Sequence, residues 1–146
     1  MIADRLRMKK KPSSYIYYYG EGNDNLDAPD GCTKEEDYIY MYARASAWVV
    51  TAAQYSLENY NSVEAVMIGN IRAECTNWIK VAISTYSNMS TLDSTFDAEE
   101  RIDNVVNQLY TITLDISSFN SSKYIYVLTR SSYPYSASKL YSVRLI

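Results

Sequence analysis

Apolar and polar positions alternate with a period of two along most of the chain, and that pattern predicts short β-strands. Tyr15-Ile16-Tyr17-Tyr18-Tyr19 is aromatic and β-branched and stops at Gly20 and Gly22; after an acidic loop, Tyr38, Tyr40 and Tyr42 share one face of residues 38–43. Residues 47–51, 63–68 and 77–84 follow. In the last of these, Trp78, Lys80 and Ala82 lie on one side and Ile79, Val81 and Ile83 on the other. Residues 109–114, 124–129 and 140–146 complete the set, separated by turns rich in Ser, Asn and Pro. About eight short strands at fairly even spacing predict an all-β, antiparallel sandwich or barrel. The stretch 35–59 has helix-forming Ala, Met, Glu and Gln, but no apolar stripe at i, i+3, i+4, and the Tyr-x-Tyr-x-Tyr alternation favours strand. One segment reads differently. Asp97-Ala98-Glu99-Glu100-Arg101-Ile102-Asp103 offers an Asp N-cap with acids in the first turn, which predicts one short helix near 97–104.

Composition narrows the chemistry. The 146 residues suit a single core, and 47% hydrophobic with 21% charged residues excludes a wholly disordered chain. There is no histidine, which removes Ser-His-Asp and Cys-His pairs, His-ligated metals and most general-base chemistry near neutral pH. Four glycines and no GxGxxG or GxxxxGK[ST] exclude the usual phosphate loops. A non-enzyme with no cofactor is therefore expected. Tyrosine is the outlier, with 16 residues against two Phe and two Trp.

Charge is uneven. Arg5, Arg7, Lys9, Lys10 and Lys11 face one acid, Asp4, in a basic arm over 1–13 that ends at Pro12 and Ser13. The domain proper is expected over 14–146, and the arm is a candidate partner-binding segment or a solvated tail. Residues 21–37 carry seven acids against Lys34. The acidic total argues against nucleic acid as partner. No apolar run reaches signal-peptide or membrane-spanning length, so no membrane contact is expected, and Cys32 and Cys75 are expected as free thiols made in a reducing cytosol.

Among groups that carry chemistry, Glu35-Glu36 and Glu99-Glu100 are adjacent in sequence, which sets no cross-cleft spacing; they read as solvated acids, and no catalytic residue is assigned. The loop 23–30 has oxygen donors at alternating positions but lacks the Gly and Glu of an EF-hand, leaving only a looser structural calcium site open; no metal ligand is assigned. Tyr38, Tyr40, Tyr124 and Tyr126, inside strands, read as cross-strand packing. Tyr133 and Tyr135 flank Pro134 in a turn, where a core role is least natural, and are the candidate contact surface.

A weak internal echo links Tyr55-Ser56-Leu57-Glu58-Asn59-Tyr60 to Leu114-Asp115-Ile116-Ser117-Ser118-Phe119: a Leu-acid pair, then an aromatic, then a strand. With the Tyr124-Ile125-Tyr126-Val127 strand and the closing strand 139–146, this half resembles jelly-roll domains of bacteriophage virion proteins (tail fibre, receptor-binding, baseplate or capsid decoration), which are similar to carbohydrate-binding modules. The opening half, an aromatic strand, a Gly- and acid-rich loop, a Tyr-Ile-Tyr strand and residues 48–51, fits as well. The resemblance implies a non-enzymatic virion structural protein, assembled in the host cytoplasm and exposed on the particle, that docks on other virion subunits and is oligomeric within the particle. The alternative it implies is a glycan-binding module that recognises host cell-surface carbohydrate.

Overall fold

The computed structural model describes residues 15–29, 31–42, 46–72, 77–88, 95–131 and 136–146. The basic arm with Arg5, Arg7, Lys9, Lys10 and Lys11, the turn with Tyr133 and Tyr135, and Cys75 lie outside the described residues.

Among the described residues the alternating segments become twelve strands: β1 (Tyr15–Tyr18), β2 (Leu26–Asp27), β3 (Cys32–Lys34), β4 (Ile39–Tyr42), β5 (Ser46–Thr51), β6 (Tyr55–Ser56), β7 (Ser62–Ile68), β8 (Asn77–Ser84), β9 (Ala98–Val105), β10 (Leu109–Asp115), β11 (Ser122–Arg130) and β12 (Ala137–Leu145). Sheet one runs β9-β8-β11-β5-β2, with β6 added to β11; sheet two runs β10-β7-β12-β4-β3, with β1 added to β12. The strand pairs are antiparallel. The fold is thus an antiparallel β-sandwich of two six-stranded sheets, as the alternation predicts, with a larger number of strands because several are only two to four residues long.

The helix expected near 97–104 is not formed. Those residues make β9, whose Ala98 to Ile102 pair in register with Ile83 to Ile79 of β8. The acidic pattern that imitates a helix start instead arms a sheet edge. Glu99, Glu100, Arg101 and Asp103 are exposed, and charged side chains on an outermost strand discourage pairing with another chain. A long-range ladder overrides a local preference worth only tenths of a kilocalorie, about 0.7 kcal/mol per residue at most.

Period two places the core. Val63, Ala65 and Met67 of β7, Ile112 and Leu114 of β10, Leu140 and Val143 of β12 face Ile79, Val81 and Ile83 of β8, Ile125 and Val127 of β11, and Ala47 and Val49 of β5. Each Val, Leu, Ile or Met side chain among these contributes about 1.5–3 kcal/mol by leaving water. One end of the sandwich is latched by polar groups. The Asn77 amide of sheet one donates to the Gly69 carbonyl (2.9 Å) and Ser138 Oγ (3.1 Å) of sheet two, and to Thr129 Oγ1 beside it. Gly69 has to be glycine, since a Cβ there would sit 2.6 Å from Val105 Cβ. The opposite end holds the two echo segments as matching turns. Tyr60 N–H donates to Leu57 O and Phe119 N–H to Ile116 O, while Leu57 N–H reaches Ser121 O and Ile116 N–H reaches Asn61 O, so the turns interlock.

Candidate functional site

The outward side of sheet one carries its own apolar cluster, separate from the core. Its floor is Val50, Ala82, Tyr126 and Leu128, joined by Phe96, with Trp48, Trp78 and Tyr124 half-buried around it. Register explains the grouping. Glu99, Ala82, Tyr126, Val50 and Asp27 form one row across β9, β8, β11, β5 and β2; Arg101, Lys80, Leu128 and Trp48 form the next; Trp78, Arg130 and Ser46 form the third. Every second residue of each strand points this way, so the split between Trp78, Lys80, Ala82 and Ile79, Val81, Ile83 expected from the sequence is the split between this face and the core.

Phe96 packs edge-on against Tyr126 with ring centroids 5.2 Å apart, and Trp48 lies 5.8 Å from Tyr126 on the other side. The Tyr126 hydroxyl donates to the Tyr86 carbonyl, tying the chain after β8 over one margin of the face. Trp48 and Trp78 stand on strands either side of β11, roughly 10 Å apart across the sheet by strand spacing. They are the two tryptophans of the chain, and both are on this face.

Two cations of the face are paired. Lys80, its side chain 5% exposed, holds Glu99 at 3.1 Å, with its ammonium 5.0 Å from the Trp78 ring and 5.6 Å from the Phe96 ring. The Arg101 guanidinium lies 5.5 Å from the Trp78 ring and pairs with Asp103 at 3.0 Å. At the end of the sandwich, on the core side of β11, Lys123 holds Asp97 at 2.8 Å and donates to Thr85 Oγ1. The Lys123 hydrogen bond, with smaller help from Thr85, keeps the Asp97 carboxyl below its ordinary range. Arg130, beside Trp78, is exposed. The face therefore offers aromatic surface, hydrogen-bond donors and acceptors, and carboxylates held in ion pairs: the equipment for holding a polar ligand with apolar flanks.

Tyr126 is buried, as packing predicts, whereas Tyr124 is a half-buried member of this face. Tyr38 and Tyr40 belong elsewhere. They sit half-buried on the outer side of sheet two, where Tyr38 lies 6.0 Å from Tyr141 and Tyr40 lies 6.4 Å from Tyr42. Trp48 escapes sequence reading because Ala47-Trp48-Val49-Val50 is apolar on both sides, and only the position of β11 between β5 and β8 shows which way the ring points. The rarity of tryptophan was the one signal available. Glu35 and Glu36 are exposed, and among the described residues no three acidic or cysteine groups gather as metal ligands, the loop after Gly22 included. Cys32 is a free thiol that donates to the Trp48 carbonyl at 3.2 Å beneath this face; burial pushes it up to about 12.

No protein-family model matches the sequence, and no curated protein matches it. Solved structures share the fold. A mutant of a family 29 carbohydrate-binding module aligns over 91% of this chain and 90% of its own, with TM-score 0.58 and 13% identity. The xylan-binding module CBM15 aligns over 82% and 87%, with TM-score 0.56 and 16% identity. The K3 cleaved adhesin domain of Lys-gingipain from Porphyromonas gingivalis aligns over 83% and 91%, with TM-score 0.58 and 10% identity. At these identities the likeness is one of fold: this chain has the jelly-roll-like β-sandwich seen in carbohydrate-binding modules and adhesin domains.

Proposed function

We propose that the protein is a non-catalytic glycan-binding module and that its ligand lies across the outward face of sheet one. The observation that carries this reading is the convergence of Trp48, Trp78 and Tyr124, from three different strands, on one solvent-facing surface bordered by paired charges. Indole faces take the apolar C–H side of a sugar ring, while the bordering side chains meet its hydroxyls. Lys80, Arg101 and Arg130 balance Asp27, Glu99 and Asp103 along the face, which suits a neutral polysaccharide. The fold shared with carbohydrate-binding modules supports the same reading. Of the two roles that the sequence implies, virion docking and glycan recognition, that shared fold supports the second.

Isothermal titration of the full chain with xylan-, glucan- and mannan-derived oligosaccharides tests the proposal. A saturable heat is expected for one of them, with tryptophan emission changing in parallel. Trp48→Ala and Trp78→Ala should each weaken it about tenfold, and affinity should hold within about twofold as salt rises, since screening has no net charge to act on. A folded Trp48→Ala/Trp78→Ala double variant that binds as the parent does would overturn the assignment.

A further inference from the structure

We propose a second site, distinct from the sheet-one face: the cleft lined by Tyr15, Tyr55, Glu58 and Tyr60 binds an organic cation that carries a methylated ammonium group. The cleft lies where β1 of sheet two and β6 of sheet one come together with the turn after β6, and it encloses about 490 Å³, a small-molecule size. It shares no residue with the face that holds the tryptophans.

The backbone that carries its rings is set in place before any ligand arrives, and Tyr55 and Tyr60 pack partly against the core. Leu57 is fully buried and its N–H donates to Ser121 O; Tyr60 N–H donates to Leu57 O at 3.2 Å; Asn61 and Ser62 N–H both donate to Ile146 O, at 2.6 and 3.0 Å. Tyr55 is fixed by the pairing of β6 with Lys123 of β11. Among the described residues neither Tyr55 nor Tyr60 stacks on another ring, so no neighbouring ring takes up either π-face.

The lining carries one formal charge, that of Glu58, which is exposed and in no ion pair among the described residues. Tyrosine faces are electron-rich, and a carboxylate on the same lining as Tyr55 and Tyr60 selects for positive charge; the Tyr15 ring packs against Tyr18 at 4.7 Å. Tyr15 already accepts one cation, since the Arg144 guanidinium sits 5.3 Å from its ring. Arg144 is itself neutralised by Glu64 at 2.8 Å, so it leaves the charge of Glu58 unmatched. A bare ammonium is compact and strongly hydrated. Methylation spreads the charge over apolar surface that rings can cover, which makes a methylated cation the better fit to an aromatic cleft.

The test is a titration of the full chain with choline chloride, read from the tyrosine ring signals in NMR, alongside 3,3-dimethylbutan-1-ol, which has the same shape and no charge. Choline should shift Tyr55 and Tyr60 saturably and bind at least about tenfold more tightly than the neutral alcohol. Glu58→Gln, at an exposed position, and Tyr60→Leu should each weaken choline about five- to tenfold, while Trp48→Ala leaves it unchanged. The proposal is overturned if the alcohol binds as well as choline, if choline leaves these rings unshifted, if Glu58→Gln has no effect, or if a neutral oligosaccharide shifts the same rings in place of choline.

Discussion

Lys80 is a buried cation whose stability rests on one half-exposed carboxylate, and the two partners are expected to respond unequally to mutation. At 3.1 Å, the pair would be worth about 1 kcal/mol under full water screening and about 5 kcal/mol at the effective dielectric of a near-surface site. Glu99 is 44% exposed, which favours the lower part of that range. In Glu99→Gln the ammonium stays buried, still facing Trp78 and Phe96, whose attraction returns about 0.5–2 kcal/mol, and the new amide oxygen still accepts a hydrogen bond. The net loss is about 1–2 kcal/mol, or a fall in Tm of about 2–8 °C for a domain of this size. Lys80→Met acts the other way. It removes the charge together with its desolvation cost and keeps a chain that fills the same space, while Glu99 turns to solvent; the effect should be near zero or stabilising. Urea titrations followed by tryptophan emission and by far-ultraviolet circular dichroism measure both variants. If Lys80→Met destabilises the protein more than Glu99→Gln, the attribution of the cost to a stranded cation is wrong.

Two further outcomes follow from buried groups away from the face. Asn77→Ala removes the amide that joins Gly69, Thr129 and Ser138, but Ser138 Oγ still donates to the Gly69 carbonyl at 2.7 Å and the orphaned Asn77 Oδ1 goes too, so it should cost about 1–2 kcal/mol, seen as a lower urea midpoint with an unchanged m-value. Burial raises the Cys32 thiol from 9.0 and the Tyr17 phenol from 10.0, each to about 12. The unfolded chain therefore releases these protons first, and the contribution of these two groups should be constant below about pH 9 and fall from there to about pH 12, with Cys32 contributing up to about 1.4 kcal/mol per pH unit. Denaturation midpoints across pH 7–11 check this window, and thiol reagents at pH 8 should modify Cys32 only as fast as the protein unfolds.

Strands whose two faces differ in polarity were legible from the sequence. Val63, Ala65 and Met67 against Ser62 and Glu64, or Ile79, Val81 and Ile83 against Trp78 and Lys80, announce both strand and inward side. β9 was not legible, because its pairing with β8 is a property of a partner strand and its own residues imitate a helix start. The candidate face was half legible. The alternation in β8 puts Trp78 on the side of Lys80 and Ala82, but Trp48 and Tyr124 join it only through the order β8-β11-β5, which brings together residues 78, 124 and 48, far apart along the chain. The cleft of Tyr15, Tyr55 and Tyr60 depends on the same kind of long-range closure. The echo around Leu57 and Ile116 did mark the turns that shape one end of it.

The strand order also dictates when the protein can fold during synthesis. β11 is the hub of sheet one, flanked by β8 and β5 and joined by β6, and β12 is the hub of sheet two, flanked by β7 and β4 and joined by β1. Neither sheet has a continuous ladder until these late strands exist, so the tyrosine-rich strands β1 and β4 must wait, unpaired with β12, while nearly the whole chain is made. Such a topology favours slow folding and a growing chain with exposed aromatic edges. Holdase chaperones that cover extended aromatic segments should therefore associate with the nascent chain and let go only after translation has passed Leu145.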